Sequence, residues 1–308
     1  MTKIPNKDKA TKIRLTPEDH LVNGFSTFFA FIVFLLTVYP IYYCTIYAFS
    51  DGKSALAHQI YFWPVDITLD NFKAVLEDDL LVNSFLISVA RTTLSVLTSV
   101  SFTALTAYAL TRKQLAGRKI YSMIAMFTMY FGGGMIPTYL WFRSLRLINT
   151  FAVYIIPSLL NVYHMLLFMA FFRDIPDSLI ESAYLDGASE IKILVRIVIP
   201  LSTPILATIS LFTGVNAWND WYTSAYFVND QRLMTMSTIL MRLVSAADAA
   251  QKAMEMASLT GADVKVSGPT PASIQYATML ISILPVMCVY PFVQKYFVKG
   301  VMVGAIKA

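Results

Sequence analysis

Six stretches of this chain run without an aspartate, glutamate, lysine or arginine: 20–50, 92–111, 120–142, 147–172, 197–219 and 266–294. A helix needs about 20 predominantly apolar residues to cross a bilayer, and each stretch reaches that length. In lipid every backbone N–H and C=O must be satisfied internally, and apolar runs this long do so as helices. The sequence therefore predicts an all-α fold, a polytopic membrane bundle of six transmembrane helices. The second span can extend outward to Asn83 if Arg91 faces protein or water. Composition agrees, with 56% hydrophobic and 14% charged residues against about 25% charged in soluble domains.

Basic residues are retained on the cytoplasmic side of a membrane protein, and six spans put both termini on one side. If that side is inside, it holds fifteen lysines and arginines, including Lys3, Lys7, Lys9, Lys12 and Arg14 of the N-terminal tail, while the other side holds eight over longer loops. Both termini are expected in the cytoplasm. The formal charge of +5 is then an orientation signal and implies no nucleic-acid partner. The first apolar stretch is too long for a cleavable signal core and should stay as an anchor. Cys44 and Cys288 fall inside spans, where cysteine packs as a small residue.

This topology divides the chain into a basic tail over 1–22, a six-helix domain over 23–298 and a C-terminal tail over 299–308. The long outer loops are 51–82 and 229–274, and 173–204 is the one large inner element. Outside, 246–258 is rich in helix formers and 261–271 in turn residues, which predicts a helix followed by a flexible segment.

The inner element reads as two short amphipathic helices. Pro176 and Asp177 suit a helix start, and Leu179, Ile180, Ala183 and Tyr184 make one apolar stripe. Gly187 permits a left-handed turn, and Ser189 is a candidate cap for the next helix. There, Ile191, Leu194, Val195 and Val198 repeat at helical spacing, with Lys192 and Arg196 opposite. Pro200 and Pro204 then break the helix where the chain re-enters the membrane. A polar segment between spans must sit in water and face something, so a compact knob is expected.

At these residues the sequence resembles the permease subunits of ATP-binding-cassette importers. Their cytoplasmic signature, Glu-Ala-Ala, three residues, Gly, then Ile and Leu-Pro, reads here as Glu181-Ser182-Ala183, Gly187, Ile197 and Ile199-Pro200. Ser182 and Ile199 depart from it conservatively. Further likeness lies at Asn83-Ser84, Ala107-Tyr108-Ala109-Leu110, Ile136-Pro137-Thr138-Tyr139, Asn216-Ala217-Trp218-Asn219 and the ending 299–307. It is similar in particular to carbohydrate importers of the second maltose permease type. Gly132 to Gly134 and the stretch 290–297 look most like the branch that imports polysaccharide fragments.

The resemblance implies a type I importer permease fold in the bacterial cytoplasmic membrane, with Glu181, Ser182, Ala183, Asp186, Gly187, Ala188, Lys192 and Pro200 coupling it to ATPase subunits. It also implies a second homologous permease, two ATP-binding subunits, an extracytoplasmic solute-binding protein touched by the 229–274 loop, and an oligosaccharide cargo. ATP and Mg would be bound by the partner subunits and no cofactor by this chain. The tail, with Gly300, Gly304 and Lys307, would dock between the two ATPases. Consistently, the chain has no phosphate loop, no His-Glu-x-x-His and no Gly-x-Ser-x-Gly motif, so no enzymatic site is expected.

Polar residues inside spans are costly and face a cavity or a partner helix. Asn216, Trp218, Asn219, Asp220 and Trp221 cluster in the fifth span, and Asn161 and His164 lie in the fourth. Amides bond sugar hydroxyls and aromatic faces stack on sugar rings, so these are translocation-path candidates. Interfacial tryptophans also anchor helices and asparagines also join them, so both roles stay open. Arg91 has Asp220 or a backbone carbonyl as candidate partners. The competing classes are an ion-coupled secondary carrier or a membrane anchor without an ATPase, and an importer permease for a non-sugar solute. A carrier usually places carboxylates within its spans, and the six stretches hold none.

Overall fold

A computed structural model describes residues 16–57, 60, 62–259 and 268–305. The basic residues of the N-terminal tail, most of the 261–271 turn segment and Lys307 lie outside the described residues. Among the described residues the chain is nearly all helical, and pairing of the strand type is confined to one bridge between Ser50 and Ile67.

Helix α1 (Pro17–Ala48) starts on a capping box. The Thr16 hydroxyl accepts from the Asp19 amide at 3.3 Å and the Asp19 carboxylate accepts from the Thr16 amide at 2.7 Å, satisfying two orphan donors of the first turn. Only its last turn, Ile46 to Ala48, is buried, and the Phe25 to Tyr42 surface is exposed and apolar, as a lipid-facing helix requires. Two short helices, α2 (Gly52–Ala57) and α3 (Asp70–Glu77), lie in the loop that follows α1. Asn71 ties that loop to the end of α1 by donating to the Ala48 and Ser50 carbonyls at 2.9 and 2.8 Å.

Helix α4 (Asp79–Thr111) is continuous, with a π-type turn at Val96–Val100. The third apolar stretch departs from expectation. It forms two helices, α5 (Arg118–Tyr130) and α6 (Met135–Ser144), separated by Phe131 to Gly134. Gly134 has φ +79° and ψ −179°, a conformation essentially restricted to glycine. Three consecutive glycines also remove the side-chain contacts that favour continued helix.

The fourth stretch is bent by 46° between α7 (Ala152–Ser158) and α8 (Val162–Arg173). The knob contains α9 (Asp177–Leu185) and α10 (Glu190–Leu201), and an 84° bend then leads into α11 (Thr203–Asn219). That bend falls between Pro200 and Pro204, where the prolines predicted it. After α12 (Tyr222–Phe227), helix α13 (Met236–Leu259) is longer than the predicted 246–258. Met236 and Ile239 are buried, with Leu243 packed alongside, so a tertiary seat extends the helix beyond the helix-forming run. Helix α14 (Pro271–Ala305) closes the described chain and contains Gly300 and Gly304. By length and hydropathy, three helices could each cross a membrane, or five spans if each bent pair is one; the glycine break keeps the third stretch from being a single spanning helix.

The largest buried cluster joins α4 and α8 through Ala104, Ala107, Met165, Phe168 and Phe172, and continues into the knob through Ile180, Ala183, Ile193, Leu194 and Val198. The knob is thus packed as part of the span core.

Candidate functional site

Two constellations stand out. The first is the knob. Helix α9 ends in a Schellman motif: the Ala188 amide donates to the Ala183 carbonyl at 2.9 Å and the Gly187 amide to the Tyr184 carbonyl at 3.0 Å. Gly187 has φ +73° and open space where a Cβ would stand, so its requirement is the left-handed backbone alone. Ser189 has the backbone geometry of a helix cap, but its side chain makes no capping hydrogen bond.

The apolar stripes are narrower than predicted. Ile180 and Ala183 are buried, while Leu179 is exposed and Tyr184 half-buried. In α10 the buried residues are Ile193, Leu194 and Val198, and Ile191 and Val195 face outward at 71% and 54% exposure. Two causes act. Glu190 is held by the hydroxyls of Tyr108, at 2.6 Å, and Tyr184, which sets the rotation of the first turn. A π-type turn at Leu194–Val198 then shifts the helical register of the residues beyond it. Burial, and then the bond to Glu190, push the Tyr184 hydroxyl above the ordinary phenol range.

The Glu190 clasp joins α4, α9 and α10, and sequence reasoning missed it. The signal was available, since Tyr108 lies in the family-like Ala107–Leu110 group and Glu190 follows a cap position. A second tie links Lys113 to Asp177 at 2.9 Å, and the lysine holds that carboxyl below its usual range. Glu181, Ser182, Asp186 and Lys192 are exposed on the knob, as is Pro200 at its end, while Ala188 is half-buried. Tyr108→Phe should cost about 1.5 kcal/mol, the low end for a bond to a charged group, because Glu190 remains hydrated. Thermal unfolding in detergent checks this, and an unchanged midpoint would remove the clasp.

The second constellation lies midway along α4. Arg91, 4% exposed, donates from Nη1 to the Asp220 carbonyl at 2.8 Å and from Nη2 to the Asp220 carboxylate. Both candidate partners are therefore engaged at once. The guanidinium also stacks over the Tyr154 ring, 4.5 Å from its centroid, and the Thr223 amide donates to the other Asp220 oxygen at 3.1 Å. A buried charge is sustained when it is paired and hydrogen-bonded in this way.

Cavities flank this cluster. One, of about 430 Å³, is lined in part by Asn161, His164, Asn216 and Asp220, which brings four of the path candidates together. Ser95, Ser99 and Thr213, which sequence reasoning did not single out, also line it; short hydroxyls carry little pattern signal. Asn161 has a structural duty as well, capping α8 by accepting from the His164 amide at 3.0 Å. The other cavity, of about 460 Å³, is lined by Gly132 to Gly134 and by Arg91, Tyr154 and Asp220.

Trp218, Asn219 and Trp221 do not join them. They line a separate recess against α13 and α14, because a helix turns about 100° per residue and directs neighbours to different faces. Trp218 is buried, donates to the Ser282 carbonyl at 3.0 Å and meets Phe85 edge-on at 5.9 Å. For Trp218 the observed role is joining helices.

Interrupted apolar helices around polar cavities, with a helical knob packed onto their ends, define a solute-transport protein of the membrane. The chain belongs to the family of binding-protein-dependent transport system inner membrane components, which it matches over residues 22–303. It is 34% identical over 290 residues to the polygalacturonan/rhamnogalacturonan transport system permease protein YtcP of Bacillus subtilis (strain 168), covering 94% of this chain and 98% of that protein. It is 32% identical over 272 residues to Protein LplC of the same organism, covering 88% and 90%. Among solved structures, a chain of a bacterial ABC transporter involved in the import of the acidic polysaccharide alginate superposes with a TM-score of 0.83 at 29% identity, covering 93% of this chain and 100% of that one. The importer-permease class expected from the Glu181 to Pro200 signature is borne out.

Proposed function

We propose that this chain forms half of the translocation path of an ATP-driven importer of oligosaccharides or polysaccharide fragments. The observation that carries the reading is the two-sided knob. Its apolar residues are embedded in the core around α4 and α8, while Glu181, Ser182, Asp186 and Lys192 are left on the surface. A surface anchored so firmly to α4 can pass a partner's movement to the Arg91–Asp220 cluster and its cavities. The ATP-binding partners supply the hydrolysis, with ATP and Mg on their side, and the chain itself binds no cofactor. A second permease completes the path, and an extracytoplasmic solute-binding protein delivers the cargo. The protein lies in the bacterial plasma membrane with both termini and the knob in the cytoplasm. The C-terminal residues Gly300 to Lys307 dock between the ATPases. The sugar assignment draws on the relatives named for polygalacturonan and alginate transport.

The test is reconstitution of the chain with its partner permease, ATPase and binding protein in proteoliposomes. ATP-dependent uptake of trigalacturonate or stachyose is expected. Glu181→Lys should lower that uptake at least tenfold without reducing insertion of the chain. Uptake of neither sugar by the unaltered complex would remove the carbohydrate reading.

A further inference from the structure

Helix α10 turns by 84° into α11, and the corner between them is braced. The Ser202 amide donates to the Val198 carbonyl at 3.0 Å, and the Thr203 hydroxyl donates to the Pro200 carbonyl at 2.8 Å. Pro200 and Pro204 restrict the backbone on both sides of the turn. The two helices thus form an L. At 1.5 Å per residue its arms are about 18 and 25 Å long, which sets their free ends about 30 Å apart.

Both free ends are fastened to the same helix. Glu190, the first residue of α10, accepts from the Tyr108 hydroxyl of α4 at 2.6 Å. Asp220, directly after α11, accepts from Arg91 of α4 through its carbonyl and its carboxylate. Arg91 and Tyr108 lie about 25 Å apart along α4, and their long side chains reach across the difference. The three helices therefore close a triangle with one covalent corner and two polar ones. Near the Arg91 corner the sides touch, since a Cβ on Gly214 would stand 3.4 Å from Val96 Cγ2 and 3.8 Å from Thr92 Cγ2. Between the corners the hydroxyls of Thr92, Ser95 and Thr213 are buried and make no hydrogen bond among the described residues. A further tie from the knob, Lys113 to Asp177, is well exposed, and exposed pairs hold weakly.

Closure has a mechanical consequence. An L with one loose end can swing about its corner, whereas a triangle of stiff sides changes shape only if a corner slips. We propose that Glu190 and Tyr108 are positioning residues of the transport cycle, acting in series with Arg91 and Asp220, so that a displacement of the knob reaches the cavity-lining cluster only while both polar corners hold. The inference rests on the ATP-driven importer reading and deepens it, because it assigns the transmission to particular side chains.

A double-mutant cycle tests it. In the complete transporter in proteoliposomes, Tyr108→Phe and Arg91→Lys are each expected to lower uptake per ATP hydrolysed at least threefold. The double variant should fall no further than the more severe single one, as for two links of one chain. Residues this far apart ordinarily act independently, so their losses of thermal stability in detergent should simply add, while their effects on coupling do not. Glu190→Gln, whose amide can bond both tyrosine hydroxyls, should retain at least half of the normal ratio, and Glu190→Ala should match Tyr108→Phe. Should Arg91→Lys not assemble, Asp220→Asn takes its place. An unaltered ratio in either single variant overturns the frame, as do losses that multiply in the double variant or a Glu190→Gln variant as uncoupled as Glu190→Ala. Each of these, with normal uptake by the unaltered transporter, leaves the importer reading standing. Uptake of neither trigalacturonate nor stachyose by the unaltered transporter removes both.

Discussion

Arg91→Leu is expected to destabilise the protein by about 3–5 kcal/mol, the cost of leaving one member of a buried ion pair without its partner. Arg91 is 4% exposed and Asp220 has no other cation within bonding distance among the described residues. The loss also removes the stacking on Tyr154 and the bond to the Asp220 carbonyl. Arg91→Leu combined with Asp220→Leu should recover much of the deficit, since an apolar pair of similar volume leaves no unpaired charge. Thermal unfolding of the purified protein in detergent measures all three variants. Strictly additive losses would show that the two side chains do not act as a pair.

Gly187→Val should abolish coupling, with uptake per ATP hydrolysed falling at least tenfold in the reconstituted transporter. The left-handed conformation costs an L-residue about 1–2 kcal/mol, and a β-branched side chain tolerates it least. With Gly187 displaced, the bonds that close α9 onto Ala183 and Tyr184 are lost, and the Glu181 and Lys192 surfaces change their relative orientation. Gly187→Asn is the control, because asparagine enters this region more readily and the space for its Cβ is open. An asparagine variant as defective as valine would mean that the side chain, and not the backbone, meets the partner.

The legible parts of this protein were those governed by local rules. The uncharged stretches located the apolar helices because charge in lipid is costly at every position. Pro200, Pro204 and Gly187 marked a break and a turn because their backbone restrictions act within their own residues. Arg91 could be assigned to Asp220 or a carbonyl because a lone cation in a span has few possible partners. The third stretch misled because length and hydropathy record nothing about continuity, and the break came from Gly134 and its two neighbours. The stripe through Ile191 and Val195 failed because Tyr108, distant in sequence, holds Glu190 and sets the rotation of α10. Helix α13 shows the reverse, lengthened over 236–259 where Met236 and Ile239 found a seat.

By itself, then, the sequence determined the medium in which this chain folds, its helical class, the position of the knob and the turn within it, since each follows from chemistry repeated over neighbouring residues. Tertiary structure alone decided which polar residues meet. It sent Asn161, His164, Asn216 and Asp220 to one cavity and Trp218, Asn219 and Trp221 to another, and it set the glycine break beside Arg91. Such meetings depend on the rotation and bending of separate helices, which are fixed by packing between segments far apart in the chain.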